Sequence, residues 1–223
     1  MDDLPKKRTL WFAIVNAFLV LTTIIVCYIT LRFGTVAGQV DTGASYGWEY
    51  IITFTVQSNL LLGLIAAINL VFSIRNLKWN KPIPRAVFNW YLVASSAAML
   101  TALVVIFFLA PLRAFSGRNY FDMLLGPMFF FHFFNPFLAA TALIYLTPKI
   151  KFARPDCLLA LIPPIAYAGP YILNVIILQN WPDFYHFTFG GHNWAILPVF
   201  IVISTITYSI AALLAHLHNH RKI

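Results

Sequence analysis

Six stretches of the chain run apolar for long enough to cross a bilayer, and short polar segments separate them. A crossing takes about 20 residues at about 1.5 Å each for a hydrocarbon core of about 30 Å. The stretches fall at approximately 10–31, 50–74, 86–110, 122–146, 157–178 and 194–217. They predict an all-α, polytopic membrane protein, with six transmembrane helices forming a single domain over residues 1–223. The first stretch follows Lys6-Lys7-Arg8, as the core of a secretion signal does. It is too long for such a core, and no small-residue cleavage site follows it, so it is expected to stay as a helix. No internal repeat suggests an inverted-repeat transporter.

The basic residues orient the helices. One side collects Lys6, Lys7, Arg8, Arg75, Lys78, Lys81, Arg85, Lys149, Lys151, Arg154, Arg221 and Lys222; the other has only Arg32, Arg113 and Arg118. With an even number of helices, this split predicts that both termini are cytoplasmic and that the protein is a multi-pass protein of the cell membrane. The net charge of +8 is thereby a topology signal, and nucleic acid is not an expected partner. Composition agrees: 61% of residues are hydrophobic, 10% are charged and the mean hydropathy is +0.79. A soluble domain carries roughly a quarter charged residues. Cys27 and Cys157 lie far apart in or beside apolar segments and read as small buried hydrophobes rather than a disulfide framework.

The loops opposite the termini differ in character. The first, 33–49, is rich in Gly and Thr and carries Asp41 and Glu49; the second, 111–120, is short. The third, 179–193, alternates aromatic and polar residues and reads as an interfacial segment, a cap over the helix ends or a plain aromatic belt. His186, His192 and Asp183 there are candidates for a metal or a headgroup. His216, His218 and His220 read as a solvated helix end. Pro163, Pro164 and Pro170 predict a kinked or broken fifth helix, and Pro136 interrupts the fourth.

Chemistry concentrates in two places. Met128–Phe137 reads M-F-F-F-H-F-F-N-P-F, placing His132 and Asn135 in an aromatic run. An ionisable group at membrane depth is a functional candidate, because solvating it there is expensive. The second stretch carries Thr53, Thr55, Gln57, Ser58 and Asn59 within seven residues. On a helix Thr55, Ser58 and Asn59 share a face, with Gln57 nearer Thr53. Counted from the expected helix starts, Thr55 lies about 9 Å deep, Asn59 about 15 Å and His132 about 16 Å. That arithmetic pairs the histidine with Asn59. A neutral imidazole can activate a hydroxyl nucleophile. Asn135 would orient the ring, and Asn59 or Gln57 would donate to an oxyanion. The plain alternative is a core histidine satisfied by a Thr or Asn, with the polar strip bridging helices. One histidine without acids makes a poor metal site, so no metal is expected.

The segments F-T-V-Q-S-N-L-L (54–61) and H-F-F-N-P (132–136) resemble the bacterial six-transmembrane, Pr6Pr-type branch of the androgen-induced/FAR-17a-like membrane proteins. Animal members of that wider family are threonine hydrolases of fatty-acid esters of hydroxy fatty acids, requiring one Thr and one His. The resemblance implies His132 as general base and Thr55 as nucleophile, with Thr53 the alternative. It implies a membrane lipid or lipid-like substrate and no cofactor. The competing expectation is a non-enzymatic protein that binds or transports a lipid or small amphiphile, or an assembly partner. The scarcity of acids in the spans argues against an ion-coupled transporter. Oligomeric state is not legible.

Overall fold

The computed structural model describes residues 6–33 and 48–221, and they form an all-α membrane protein. Asp41, most of the first loop and Lys222 lie outside the described residues. We number six helices: α1 Lys6–Phe33, α2 Phe54–Trp79, α3 Arg85–Phe115, α4 Phe130–Tyr145, α5 Arg154–Ile177 and α6 Asn193–His220. Five of them are long and apolar enough to cross a membrane; α4 is shorter.

α3 is the central element and packs on α2, α4 and α6. Its Ala94-Ser95-Ser96-Ala97-Ala98 run is fully buried, and these small side chains let the neighbouring backbones approach closely. α1 and α2 form a tight hairpin, with Gly63 packed so near α1 that a Cβ there would lie 2.7 Å from the Thr23 side chain. Both ends of α2 are fixed locally. Thr53 caps α2, accepting from the Val56 N–H at 3.4 Å while donating to the Tyr50 carbonyl at 2.9 Å. At its other end Asn80 turns left-handed at φ 52°, and Pro84 leads into α3.

Three helices contain π-turns: Val105–Leu109 in α3, Phe130–Phe134 in α4 and Leu173–Ile177 in α5. Two of them have one cause. In a π-turn each N–H reaches back five residues, and Pro111 and Pro136 stand where the next N–H is needed. Ala110 bonds the Val105 carbonyl, leaving that of Ile106 to the Tyr120 hydroxyl at 2.9 Å. Asn135 bonds the Phe130 carbonyl, leaving that of Phe131 to the Asn59 amide at 3.2 Å. The expected break of α5 is present as a 3₁₀ turn, Leu159–Leu161, ahead of Pro163 and Pro164.

The fourth span differs from the expected 122–146. Gly126 sits at φ 60° and Pro127 follows, so the chain cannot be helical through that point. Residues 120–124 instead form a separate 3₁₀ turn, folded back over the start of α4. Of the terminal histidines, His216 and His220 are exposed as expected of a solvated end, and His218 is not. His218 is buried, its Nε2 on the Ile150 carbonyl at 2.9 Å and its Nδ1 on that of Leu143 at 3.0 Å. Arg221 donates to the Ile144 and Thr147 carbonyls, so α6 caps the C-terminal end of α4. The Arg221 guanidinium lies near enough to Arg8 to feel its charge, which puts the start of α1 and the end of α6 at one end of the bundle.

Candidate functional site

At the opposite end, the 178–193 segment folds inward as a cap. Asp183 organises it by accepting from the Tyr171 hydroxyl (2.5 Å), the Phe187 N–H (2.9 Å), and the Thr188 N–H (2.8 Å) and hydroxyl (2.6 Å). Burial pushes its carboxyl up, but the hydrogen bonds from Thr188, Tyr171 and Phe187 outweigh burial and hold it below the usual carboxylate range. This turn drives Phe184, Tyr185 and Phe187 into the bundle, where they pack on Tyr171 and each is only 7% exposed. The segment is a plug and not an aromatic belt. With both Asp183 oxygens engaged by Tyr171, Phe187 and Thr188, Asp183 does not join His186 and His192 in the candidate metal site. Among the described residues no three His, Cys, Asp or Glu side chains gather.

Beneath the cap lies a cavity of about 750 Å³ whose lining includes Thr55, His132, Tyr185, Arg113, Arg118 and His186. Thr55 is the second residue of α2 and His132 lies in the first turn of α4, so two helix N-termini converge here. That arrangement favours negative charge developing between them. The depth comparison placed Asn59 level with His132, and Asn59 does bond the adjacent Phe131 carbonyl; the comparison missed that α4 begins only after Gly126-Pro127, so that Thr55 and His132 line one cavity. His132 is near the helix start, as Thr55 is.

The His132 ring has a defined role for each nitrogen. Nδ1 lies 2.5 Å from the Met123 carbonyl, which can only accept, so Nδ1 carries the proton. In the neutral ring Nε2 then keeps its lone pair. Met123 belongs to the 3₁₀ turn folded over α4, so the Gly126-Pro127 break that shortens the helix also orients the histidine.

No family model, curated protein or solved structure matches the chain. The site must be read from its own geometry.

The other expected residues divide sharply. Thr53 is the α2 cap, with its proton on Tyr50 and a lone pair on Val56. Asn59 donates to the Thr55 and Phe131 carbonyls at 2.9 and 3.2 Å, which uses both amide protons; it is a helix tie and not an oxyanion donor. Gln57 is exposed and donates to the Ile51 carbonyl at 3.1 Å, away from the cavity. Ser58 shares a 2.9 Å hydrogen bond with Thr101, joining α2 to α3. Asn135 does not orient His132. Its Oδ1 accepts from Thr22 of α1 at 3.0 Å, because the wide π-turn carries position 135 off the face of position 132.

Tyr185 is the functional candidate missed in the sequence. Its phenol oxygen accepts the first N–H of α2, that of Phe54, at 2.9 Å and lies against the Thr55 hydroxyl. Acting as acceptor for Phe54, it keeps its own proton to donate.

Proposed function

We propose that the protein is an integral membrane hydrolase, or acyltransferase, of fatty-acyl esters, with Thr55 as nucleophile and His132 as general base. The observation that carries this reading is one cavity holding both the Thr55 hydroxyl and an imidazole whose Nδ1–H is fixed on a backbone carbonyl. In the proposed reaction, Nε2 of His132 takes the Thr55 proton as Oγ1 attacks the ester carbonyl carbon. The oxyanion accepts from the Tyr185 hydroxyl between the two helix N-termini. Collapse breaks the bond to the alcohol oxygen, which leaves with the proton from His132. Water, activated by the same imidazole, then releases the acid; a second alcohol in its place gives transfer.

The resemblance of 54–61 and 132–136 to the androgen-induced/FAR-17a-like proteins points to the same pair. The engaged hydroxyl of Thr53 favours Thr55 of the two threonines. We further propose that the cap end faces outward from the cell membrane, with the basic terminal end cytoplasmic, following the charge split. No cofactor enters this chemistry, and the substrate comes from the membrane.

The test is labelling of detergent-purified protein by a fluorophosphonate, alongside hydrolysis of a panel of fatty-acyl esters. Thr55→Ala and His132→Ala should each abolish both signals in protein that retains its unfolding temperature. Well-folded wild-type protein that neither labels nor hydrolyses any ester of the panel returns the cavity to the non-enzymatic reading, a binder of lipids or small amphiphiles. Because a base must reach its proton directly or through one water, an experimental structure with Nε2 out of such reach of the Thr55 hydroxyl also sinks the mechanism.

A further inference from the structure

Thr55 and Tyr185 belong to more than one space. Besides the outer cavity they line a narrow neck of about 30 Å³ that runs deeper into the bundle, and Val105 and Leu109 line both spaces as well. On its far side the neck shares Val104, Phe187 and Ile203 with a third space of about 680 Å³ between α3 and α6. The three thus adjoin one another, the outer cavity and the third space also sharing Phe108 and Phe189, and Thr55 stands where the first two meet. Their chemistry changes abruptly there. The outer cavity has Arg113, Ser116, Arg118 and His186 in its wall, whereas the groove beyond the neck is lined almost wholly by aliphatic and aromatic carbon. The groove opens on the outer surface of the bundle, where its lining residues Phe107 and Trp194 are 74% and 75% exposed.

We infer that this neck and groove form the acyl-chain subsite, and that the chain of the substrate lies between α3 and α6 while its alcohol portion occupies the polar outer cavity. The inference rests on the Thr55–His132 reading and adds the direction in which the substrate lies. An ester carbonyl carbon at Thr55 Oγ1 has two substituents, the alkoxy oxygen and the acyl chain, and two spaces meet there. The alkoxy side leaves as an alcohol bearing a proton, which suits the polar cavity. The acyl side gains nothing from polar groups and follows the carbon-lined neck to the bilayer. A neck of this volume, about that of one or two water molecules, takes a slim unbranched chain and excludes rings. After attack the acyl group stays anchored with its tail in the groove. The alcohol vacates the outer cavity, which then admits the water that attacks the acyl-threonine.

The experiment uses Thr55→Ala protein in phosphatidylcholine nanodiscs, so that binding is read without turnover. The probe is a monoacylglycerol with a sixteen-carbon chain bearing a diazirine at its terminal carbon. Irradiation and peptide mapping should place adducts on the groove segments around Phe107 and Val199–Val202. Unlabelled monoacylglycerol should displace them, and Ile203→Trp or Val104→Phe should remove the displaceable fraction. Adducts on the 113–121 segment, or groove adducts that no competitor displaces, overturn the assignment.

A second arm compares short- and long-chain esters in proteins with Thr55 intact. Ile203→Trp or Val104→Phe should cut turnover of a sixteen-carbon ester about tenfold more than that of a four-carbon ester. Equal loss on both esters in protein with unchanged unfolding temperature counts against the subsite. Displaceable groove labelling without hydrolysis of any ester overturns the Thr–His chemistry and leaves the subsite standing. Hydrolysis with labelling elsewhere does the reverse.

Discussion

Tyr185 holds the Phe54 N–H with its oxygen and, in the proposed reaction, donates its proton to the oxyanion, so Tyr185→Phe removes both roles at once. Losing an oxyanion donor typically lowers kcat by about 10²–10³. We expect a drop of that order in ester hydrolysis, measured under saturating substrate, with fluorophosphonate labelling slowed in parallel. Thr53→Ala should do the opposite. It removes the α2 cap and lowers stability by about 1 kcal/mol, seen as a lower unfolding temperature, while kcat stays near wild type. The dense polar strip at 53–59 was legible as a site candidate, and Thr55 did prove to line the cavity with His132. The strip's internal division was not legible. Thr53, Ser58 and Asn59 are taken up by Tyr50, Thr101 and Phe131, and none of these partners is near them in sequence except Tyr50. Tyr185 escaped notice because its partner is a helix-terminal N–H, and the start of α2 at Phe54 had been expected at 50.

Among the helices, the prolines showed where backbone hydrogen bonds would be lost and left open which side chains would replace them. Asn59 for the Phe131 carbonyl and Tyr120 for that of Ile106 are the answers, each brought in from outside the turn. Asn59→Leu strips the Phe131 carbonyl of its donor in a buried place, so a loss of about 1–3 kcal/mol is expected in chemical or thermal unfolding. Because this bond sets α4 against α2, ester hydrolysis should fall with it. Gly63→Val tests the α1–α2 hairpin. Its side chain would enter space already held by Thr23, and overpacking of this kind costs about 1–3 kcal/mol. The six apolar stretches were readable because period and length report burial in lipid directly. The true start of α4 was hidden by the unbroken apolar character of Leu124-Leu125-Gly126-Pro127, although the Gly-Pro pair itself carries the signal for a turn there.

For the molecule as a whole, the cap is the element on which conditions act. Asp183 has its folded-state pKa below the unfolded value, so its contribution is fully present above the ordinary carboxylate range of about 3.9 and is lost as pH falls through the lower folded value. Acidification should therefore release the cap, measured as faster hydrogen exchange across 183–189, while α3 stays protected. Asp183→Asn should show loosened exchange already at neutral pH and little further change on acidification. An acid response identical in wild type and variant would show that another group drives it. The cap's alternation of aromatic and polar residues was visible in the sequence; that Asp183 turns it inward depends on Tyr171, in a different helix.

The shortness of α4 has a consequence for the surrounding bilayer. Its π-turn of 5 residues and following segment of 11 together rise about 24 Å, against a hydrocarbon thickness of about 30 Å. Such hydrophobic mismatch is relieved by local thinning of the bilayer. α4 begins beside His132, so thinning at that end would act on the histidine's surroundings. In the proposed reaction, headgroups and bulk solvent drawn down there would bring the aqueous phase toward the imidazole that activates water for release of the acyl-threonine.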